Sequence, residues 1–422
     1  MVPQTDLKVR MGIQTIALPS FTTGSQVFYE DVAGVSANYQ FNENVGLTAF
    51  WARPFNDNFS GNNWGSGTDK YADRYQRSYK NGSSTNGFMD NVDLFALTLP
   101  LTFDGVKVTP WAMLGFIGPN AIKDQDYYSH ALHRTVRGGI KSSGYKHFDA
   151  GMMPLGGAYA KDGSSRNRSL NSYGTAWWAG VTGDITVLDP LRIAFDANYG
   201  SVEWSNSRLN RAGWLASALV EYKLDWGVPG IVGWYASGDD DDPANGSERL
   251  PTPSVNEGSN KFSDFAWNGA PQHVRDGVLG AGGNMAGTWG VGLRLKDMSF
   301  LEDLKHTFRV NYIAGTNSPK MVKRYMSAKN DPWYGTPVYQ YNNFTEQFGN
   351  GIGRDNLYMT TNDQALEFSL SNSYKMYENF TIYTQASYLA TWLNNNRGFQ
   401  YEGKRSDVKD PWNINVSFMY NF

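Results

Sequence analysis

The last eleven residues switch sides at every step. Trp412, Ile414, Val416, Phe418, Tyr420 and Phe422 alternate with Asn413, Asn415, Ser417, Met419 and Asn421. In an extended strand such a period has a direct physical meaning, because successive side chains point to opposite faces. A soluble sandwich strand alternates too, yet four aromatic rings on one face suit an outer surface that meets lipid. The same period recurs along the chain. Leu7, Val9, Met11 and Ile13 alternate with Lys8, Arg10, Gly12 and Gln14, and Leu191, Ile193, Phe195, Ala197 and Tyr199 alternate with Arg192, Ala194, Asp196 and Asn198. On this reading fourteen strands are expected, near 6–14, 32–41, 45–54, 92–103, 105–117, 173–187, 190–204, 212–225, 229–237, 285–297, 305–316, 364–376, 379–393 and 411–422.

The connections carry a second signal. Asn42-Glu43-Asn44, Asp104-Gly105, Asp189-Pro190, Gly227-Val228 and Glu378-Asn379 are tight, turn-type junctions. Polar loops run near 55–91, 118–172, 238–284 and 317–363. If the last strand descends toward the tight turns, every tight turn falls at one end and every long loop at the other. That is the asymmetry of a bacterial outer-membrane barrel. Four such loops are improbable in a soluble domain. The fold class expected is therefore all-β, a single transmembrane antiparallel β-barrel domain over 1–422.

Composition agrees by exclusion. No window approaches the roughly 18 consecutive apolar residues of a membrane-spanning helix, and mean hydropathy is −0.49. The chain has no cysteine, as suits export through an oxidising compartment without disulfides. A net charge of −3 holds no basic excess for nucleic acid. The opening Met1-Val2-Pro3-Gln4 has neither the charged nor the apolar region of a signal peptide.

The terminal Tyr420-Asn421-Phe422 resembles the C-terminal strand of outer-membrane barrels, and that resemblance makes Phe418, Tyr420 and Phe422 an assembly signal for the barrel-assembly machinery. The chain as a whole is similar to the homotrimeric porin family of sulfate-reducing bacteria. The segments that carry this are Leu7-Lys8-Val9-Arg10-Met11-Gly12-Ile13-Gln14, Asp31-Val32-Ala33-Gly34-Val35 and Leu47-Thr48-Ala49-Phe50-Trp51-Ala52-Arg53-Pro54. The resemblance implies a homotrimer in outer-membrane lipid. It also implies that a strand like 7–14 is about the fifth of sixteen to eighteen, so that strands and a signal peptide are missing upstream of Met1. A complete fourteen-strand barrel is the alternative.

A pore acts through its lining, and the face opposite the apolar one supplies the candidates. They are Lys8, Arg10, Lys107, Arg192, Lys223, Arg294, Lys296, Arg309 and Lys375, with the acids Asp184, Asp196, Glu221 and Glu367. The basic majority suggests an aqueous lumen that favours anions. The alternative is that rim charges merely solvate or pair. Residues 15–31, with Phe21, Tyr29, Glu30 and Asp31, form a candidate constriction loop, or else an ordinary extracellular loop or trimer latch. Asp239, Asp240, Asp241 and Asp242, followed by Asn245 and Glu248, offer hard oxygen ligands to a structural Ca²⁺. Pro243 breaks any EF-hand spacing, and a solvated acidic surface is the plainer reading. No cofactor is required.

The tryptophans Trp51, Trp214, Trp234, Trp289, Trp392 and Trp412 are read as interface anchors rather than sugar platforms. No P-loop, G-x-S-x-G or H-E-x-x-H occurs. His130 and His133 share a loop with Asp126, and His306 opens a strand at the short-turn end. The function expected is passive diffusion of small hydrophilic solutes through a porin, not catalysis. The rival is an adhesive or structural surface barrel with a plugged lumen.

Overall fold

A computed structural model describes residues 6–22, 24–56, 91–118, 151–152, 154, 174–205, 207–242, 245–253, 285–321, 359–392, 410 and 412–421. These form one 15-stranded antiparallel sheet in which nearly every strand pairs with its sequence neighbours. The strands are β1 (Lys8–Ala17), β2 (Tyr29–Gln40), β3 (Gly46–Asn56), β4 (Asn91–Thr98), β5 (Leu101–Phe103), β6 (Val106–Ile117), β7 (Gly174–Ile185) and β8 (Leu191–Glu203). They continue with β9 (Arg211–Tyr222), β10 (Val228–Ala236), β11 (Thr288–Leu301), β12 (Leu304–Gly315), β13 (Gln364–Tyr377), β14 (Phe380–Trp392) and β15 (Trp412–Tyr420).

Fourteen strands were expected and fifteen are found. The segment 92–103 is split at Leu99-Pro100: proline has no N–H to donate, β4 ends at Thr98, and β5 pairs with β6 and bridges Val45 through Leu101. Two strands also run longer than expected. β1 reaches Ala17, and β11 reaches Leu301 through two register shifts near Met298. Its turn into β12 is then just Glu302-Asp303, with Asp303 in the left-handed region at φ 62. Asp tolerates this conformation better than most residues.

The outward face carries the apolar load. Met11 is 76% exposed, Ile13 84% and Phe418 67%. Rings gather toward the ends of the strands. Trp177–Tyr199 and Trp214–Tyr235 pairs lie 5.1 Å apart at the long-loop end, and Tyr39–Phe41 and Phe380–Phe418 pairs lie at the short-turn end. On β9 the two bands are Trp214 and Tyr222, about 27 Å of strand apart. Aliphatic Ile231, Val291 and Leu293 fill the space between. A folded protein in water would not leave so continuous an apolar belt uncovered.

The sheet curls. Ser20 lies three residues past the end of β1, a reach of about 10 Å, yet it hydrogen-bonds Asp196 on β8. Six strand spacings separate β1 from β8 in the pairing order, which would be about 29 Å in a flat sheet. The face holding Ser20 and Asp196 must therefore be concave. A fully closed hydrogen-bonded ring was expected. Among the described residues β1 and β15 each pair along one edge and not with one another.

Candidate functional site

Every predicted lining residue lies on the concave face or continues its parity. On β8, Ala194, Asp196 and Asn198 are buried while Tyr199 opposite them is exposed, which puts Arg192 inside. Register partners share a face, so Lys107 follows Asp184, Lys8 follows Asn38, and Arg10 follows Ser36. Arg294 and Lys296 on β11, Arg309 on β12, and Glu367 and Lys375 on β13 hold the inward parity of their strands. Lys223 continues the parity of Glu221 just past the end of β9.

The register then assembles part of this set into a transverse row. Arg192 opposes Glu221, Glu221 opposes Gly230, Gly230 opposes Arg294, and Arg294 opposes Arg309. The Arg192 guanidinium grips Asp184 with two hydrogen bonds of 2.8 Å and gives a third, 2.9 Å, to Glu221. The other carboxylate oxygen of Glu221 accepts from Arg294. One step away, Asn311 donates to Glu367 at 3.1 Å. Gly230 has no side chain to interrupt the row, so the charges reach one another across it. Arg192 and Arg294 are thus held by carboxylates of the wall itself.

The candidate constriction segment is corrected in extent and content. Because β1 runs to Ala17 and β2 starts at Tyr29, the inward connection is 18–28. Phe21 lies in it. Glu30 is on β2, 1% exposed and inward. Tyr29 and Asp31 have the outward parity of β2, and Asp31 accepts a hydrogen bond from Thr15 on that face. They do not face the lumen. A one-residue step along a strand reverses the face, and the strand end could not be read closely enough to place them.

Segment 18–28 holds to the wall in two ways. Leu18, Val27 and Phe28 are buried in the apolar cluster of the concave side, and the Phe28 ring stacks on Phe50 of β3 at 6.3 Å. Ser20 donates to Asp196 at 2.7 Å. A second inward segment was not foreseen at all. Residues 249–252 of the connection after β10 lie on the wall, where Trp178 Nε1 donates to the carbonyl of Pro251 at 2.8 Å. Arg211, fully buried, donates to the carbonyls of Arg249 and Leu250. A Cβ on Gly213 would sit 2.2 Å from the Glu248 carbonyl oxygen, so only glycine admits this approach.

Trp234 is corrected as well. It faces inward, 4% exposed, and donates to Thr288 at 3.1 Å. Three inward tryptophans follow one rule: Trp111 lies over Gly180, Trp178 over Gly200 and Trp234 over Gly290, each the residue directly opposite on the next strand. The indoles lie flat against the wall because glycine leaves the space. Gly290→Val is expected to lift the Trp234 ring into the lumen. A drop in single-channel conductance, with an unchanged folded fraction on a heat-modifiability gel, checks this.

The four adjacent aspartates disperse. Asp239 is buried against Ser247 and lies 3.4 Å from Arg249. Asp240 accepts from the Asp242 amide and from Asn245, and Asp241 pairs with Lys320 at 3.1 Å. Among the described residues no three acidic or imidazole side chains converge as metal ligands. Glu248 accepts from the Asp240 amide, and its carboxyl is pushed up by burial and then by the charges of Asp239 and Asp240. Of the assembly-signal residues, Phe418 stacks on Phe380, Tyr420 accepts from Asn379 at 2.7 Å, and Phe422 lies outside the described residues. His130, His133 and Asp126 also lie outside them. His306 points outward and shares a hydrogen bond with Asn372.

No family model matches the chain, and no curated protein matches it. Among solved structures it is similar to OccK11 (OpdR) of Pseudomonas aeruginosa, with 10% identity and a TM-score of 0.43 over 99% of this chain and 78% of that one. It is similar to OccAB3 of Acinetobacter baumannii with 10% identity and a TM-score of 0.44, covering 98% of this chain and 74% of that one. It is also similar to the outer membrane protein OprD of Pseudomonas aeruginosa, with 9% identity and a TM-score of 0.41 over 93% and 71% of the two chains.

Proposed function

We propose that this chain is a bacterial outer-membrane porin that lets small hydrophilic solutes and ions diffuse down their gradients. The observation that carries the reading is the division of one curled sheet into two surfaces. The convex side is an apolar belt edged by aromatic rings, and the concave side holds the charged row and an inward segment. Lipid satisfies no backbone hydrogen bonds, so a membrane wall must be made of paired strands. The charged row is retained on the inside because its arginines and carboxylates satisfy one another there. On the same reading the protein is not an enzyme, and it assembles as a homotrimer delivered by the barrel-assembly machinery. Structural Ca²⁺ has little support from the dispersed aspartates.

Purified protein in a planar bilayer is expected to give stepwise, ohmic open-channel currents. Repeated insertion without conductance would count against the porin reading. It would favour instead a plugged surface barrel, a rival given some weight by segments 18–28 and 249–252, held on the concave face by the Phe28–Phe50 stack and the Trp178–Pro251 hydrogen bond.

A further inference from the structure

The central row is largely self-neutralised, so it is a poor place to look for charge selectivity. A different set of cations remains. Lys8 and Arg10 on β1, Lys107 on β6, Lys223 at the end of β9, Lys305 on β12 and Lys375 on β13 are all exposed, with inward parity. Lys305 was not among the residues singled out from sequence. Each of the six lies within a few residues of the short-turn end of its strand, so they ring one mouth of the concave space. Among the described residues none of them is ion-paired. Lys107 faces Asp184 across the ladder, but that carboxylate is held by both arms of Arg192.

Acidic residues exist at the same end, on the turns. Glu43, Asp104, Asp189, Asp225, Asp303 and Glu378 are exposed there, with Glu302 beside them. They sit past the strand ends, in bulk water, where their field is screened over about 8–10 Å. Five of the six cations stand on the wall itself, and Lys223 follows one residue past the end of β9. Charge on the wall of a narrow aqueous channel sets the local ion concentration more strongly than charge outside it.

We propose that this ring at the short-turn mouth, rather than the Arg192–Glu221–Arg294 row, determines which small ions the pore favours, and that it favours anions. The inference rests on the porin reading. A mouth potential of about one kT enriches a univalent anion roughly threefold over bulk.

The test is the reversal potential of the purified protein in a planar bilayer under a tenfold KCl gradient. Wild type is expected to pass chloride over potassium by about threefold or more. The variant combining Lys8→Gln, Lys107→Gln, Lys223→Gln and Lys375→Gln is expected to move that ratio most of the way to unity. Arg192→Gln is expected to move it less. Selectivity is also expected to fade as salt rises toward 1 M, where screening shortens to about 3 Å. A quadruple variant that conducts with the wild-type ratio overturns the inference and leaves the porin reading standing. So does an Arg192→Gln shift as large as that of the quadruple variant. A wild-type protein that inserts and never conducts removes both. Exposed lysines are replaced by a polar isostere, and a heat-modifiability gel confirms that each variant is folded.

Discussion

Replacing Glu221 with glutamine is expected to cost the protein about 3–5 kcal/mol of stability, the usual penalty for breaking a buried ion pair by removing one partner. Glu221 is 4% exposed and accepts from two arginines at once, Arg192 and Arg294. The loss of its charge leaves Arg294 and Arg309 directly opposite one another with one carboxylate fewer beside Arg294. Like charges facing across a ladder destabilise it. Asp184→Asn is the matched comparison. Asp184 pairs with the same Arg192, but both side chains are about one third exposed, at 32% and 33%. Water screens that pair, and its loss is expected to cost about 1 kcal/mol or less. Urea unfolding of the two variants in detergent micelles or vesicles measures the difference. A Glu221→Gln midpoint within error of Asp184→Asn would falsify the view that the row is a buried structural belt.

The second large effect concerns segment 18–28. Phe28 is fully buried and stacks on Phe50, and its truncation to alanine is expected to cost about 3–5 kcal/mol. Ser20→Ala removes a hydrogen bond to a buried carboxylate, worth about 1.5–3 kcal/mol. Either change alone leaves one attachment in place. The double variant loses both the ring stack and the hydroxyl bond, with Leu18 and Val27 still buried, and its segment is expected to loosen on the wall. Single-channel records of the double variant should then show strong open-state flicker and a changed mean conductance, and Ser20→Ala alone should show only added noise. Protease access to the segment from the long-loop side gives an independent readout. Quiet, wild-type currents from the double variant would mean that 18–28 does not border the conducting path.

These two predictions draw on contacts of different legibility. Arg192, Glu221 and Arg294 could be named from sequence because each sits opposite an apolar neighbour in a period-two segment. Their pairing could not, since it depends on which strand lies beside which and in what register. Ser20 and Asp196 are 176 residues apart in the chain, and no local pattern links a polar connection to a wall residue that far away. Asp31 shows the opposite error. It is acidic and close to the inward segment, yet β2 starts two residues before it and turns its side chain outward. The aspartate run from Asp239 to Asp242 looked like a ligand set as a string. In three dimensions its members find Arg249, the Asp242 amide and Lys320.

The glycines opposite Trp111, Trp178 and Trp234 mark the same boundary. Among the described residues six tryptophans lie on the convex face, Trp51, Trp177, Trp214, Trp289, Trp392 and Trp412. Which rings turn inward depends on parity within a strand. Whether an inward ring blocks the lumen or lies flat depends on the residue across the ladder, and in all three cases that residue is glycine.

By itself, the order of residues determined the two-faced strands, the side on which charges within the strands would stand, and the end at which the turns are short. All of these follow from local sterics, because an extended backbone must alternate its side chains. Tertiary structure alone decided that Arg192 and Arg294 pair within their own wall, that 18–28 and 249–252 fold onto the concave face, and that cations without an ion pair among the described residues collect at one mouth. Those outcomes come from register and curvature, which bring together groups that no short stretch of chain contains.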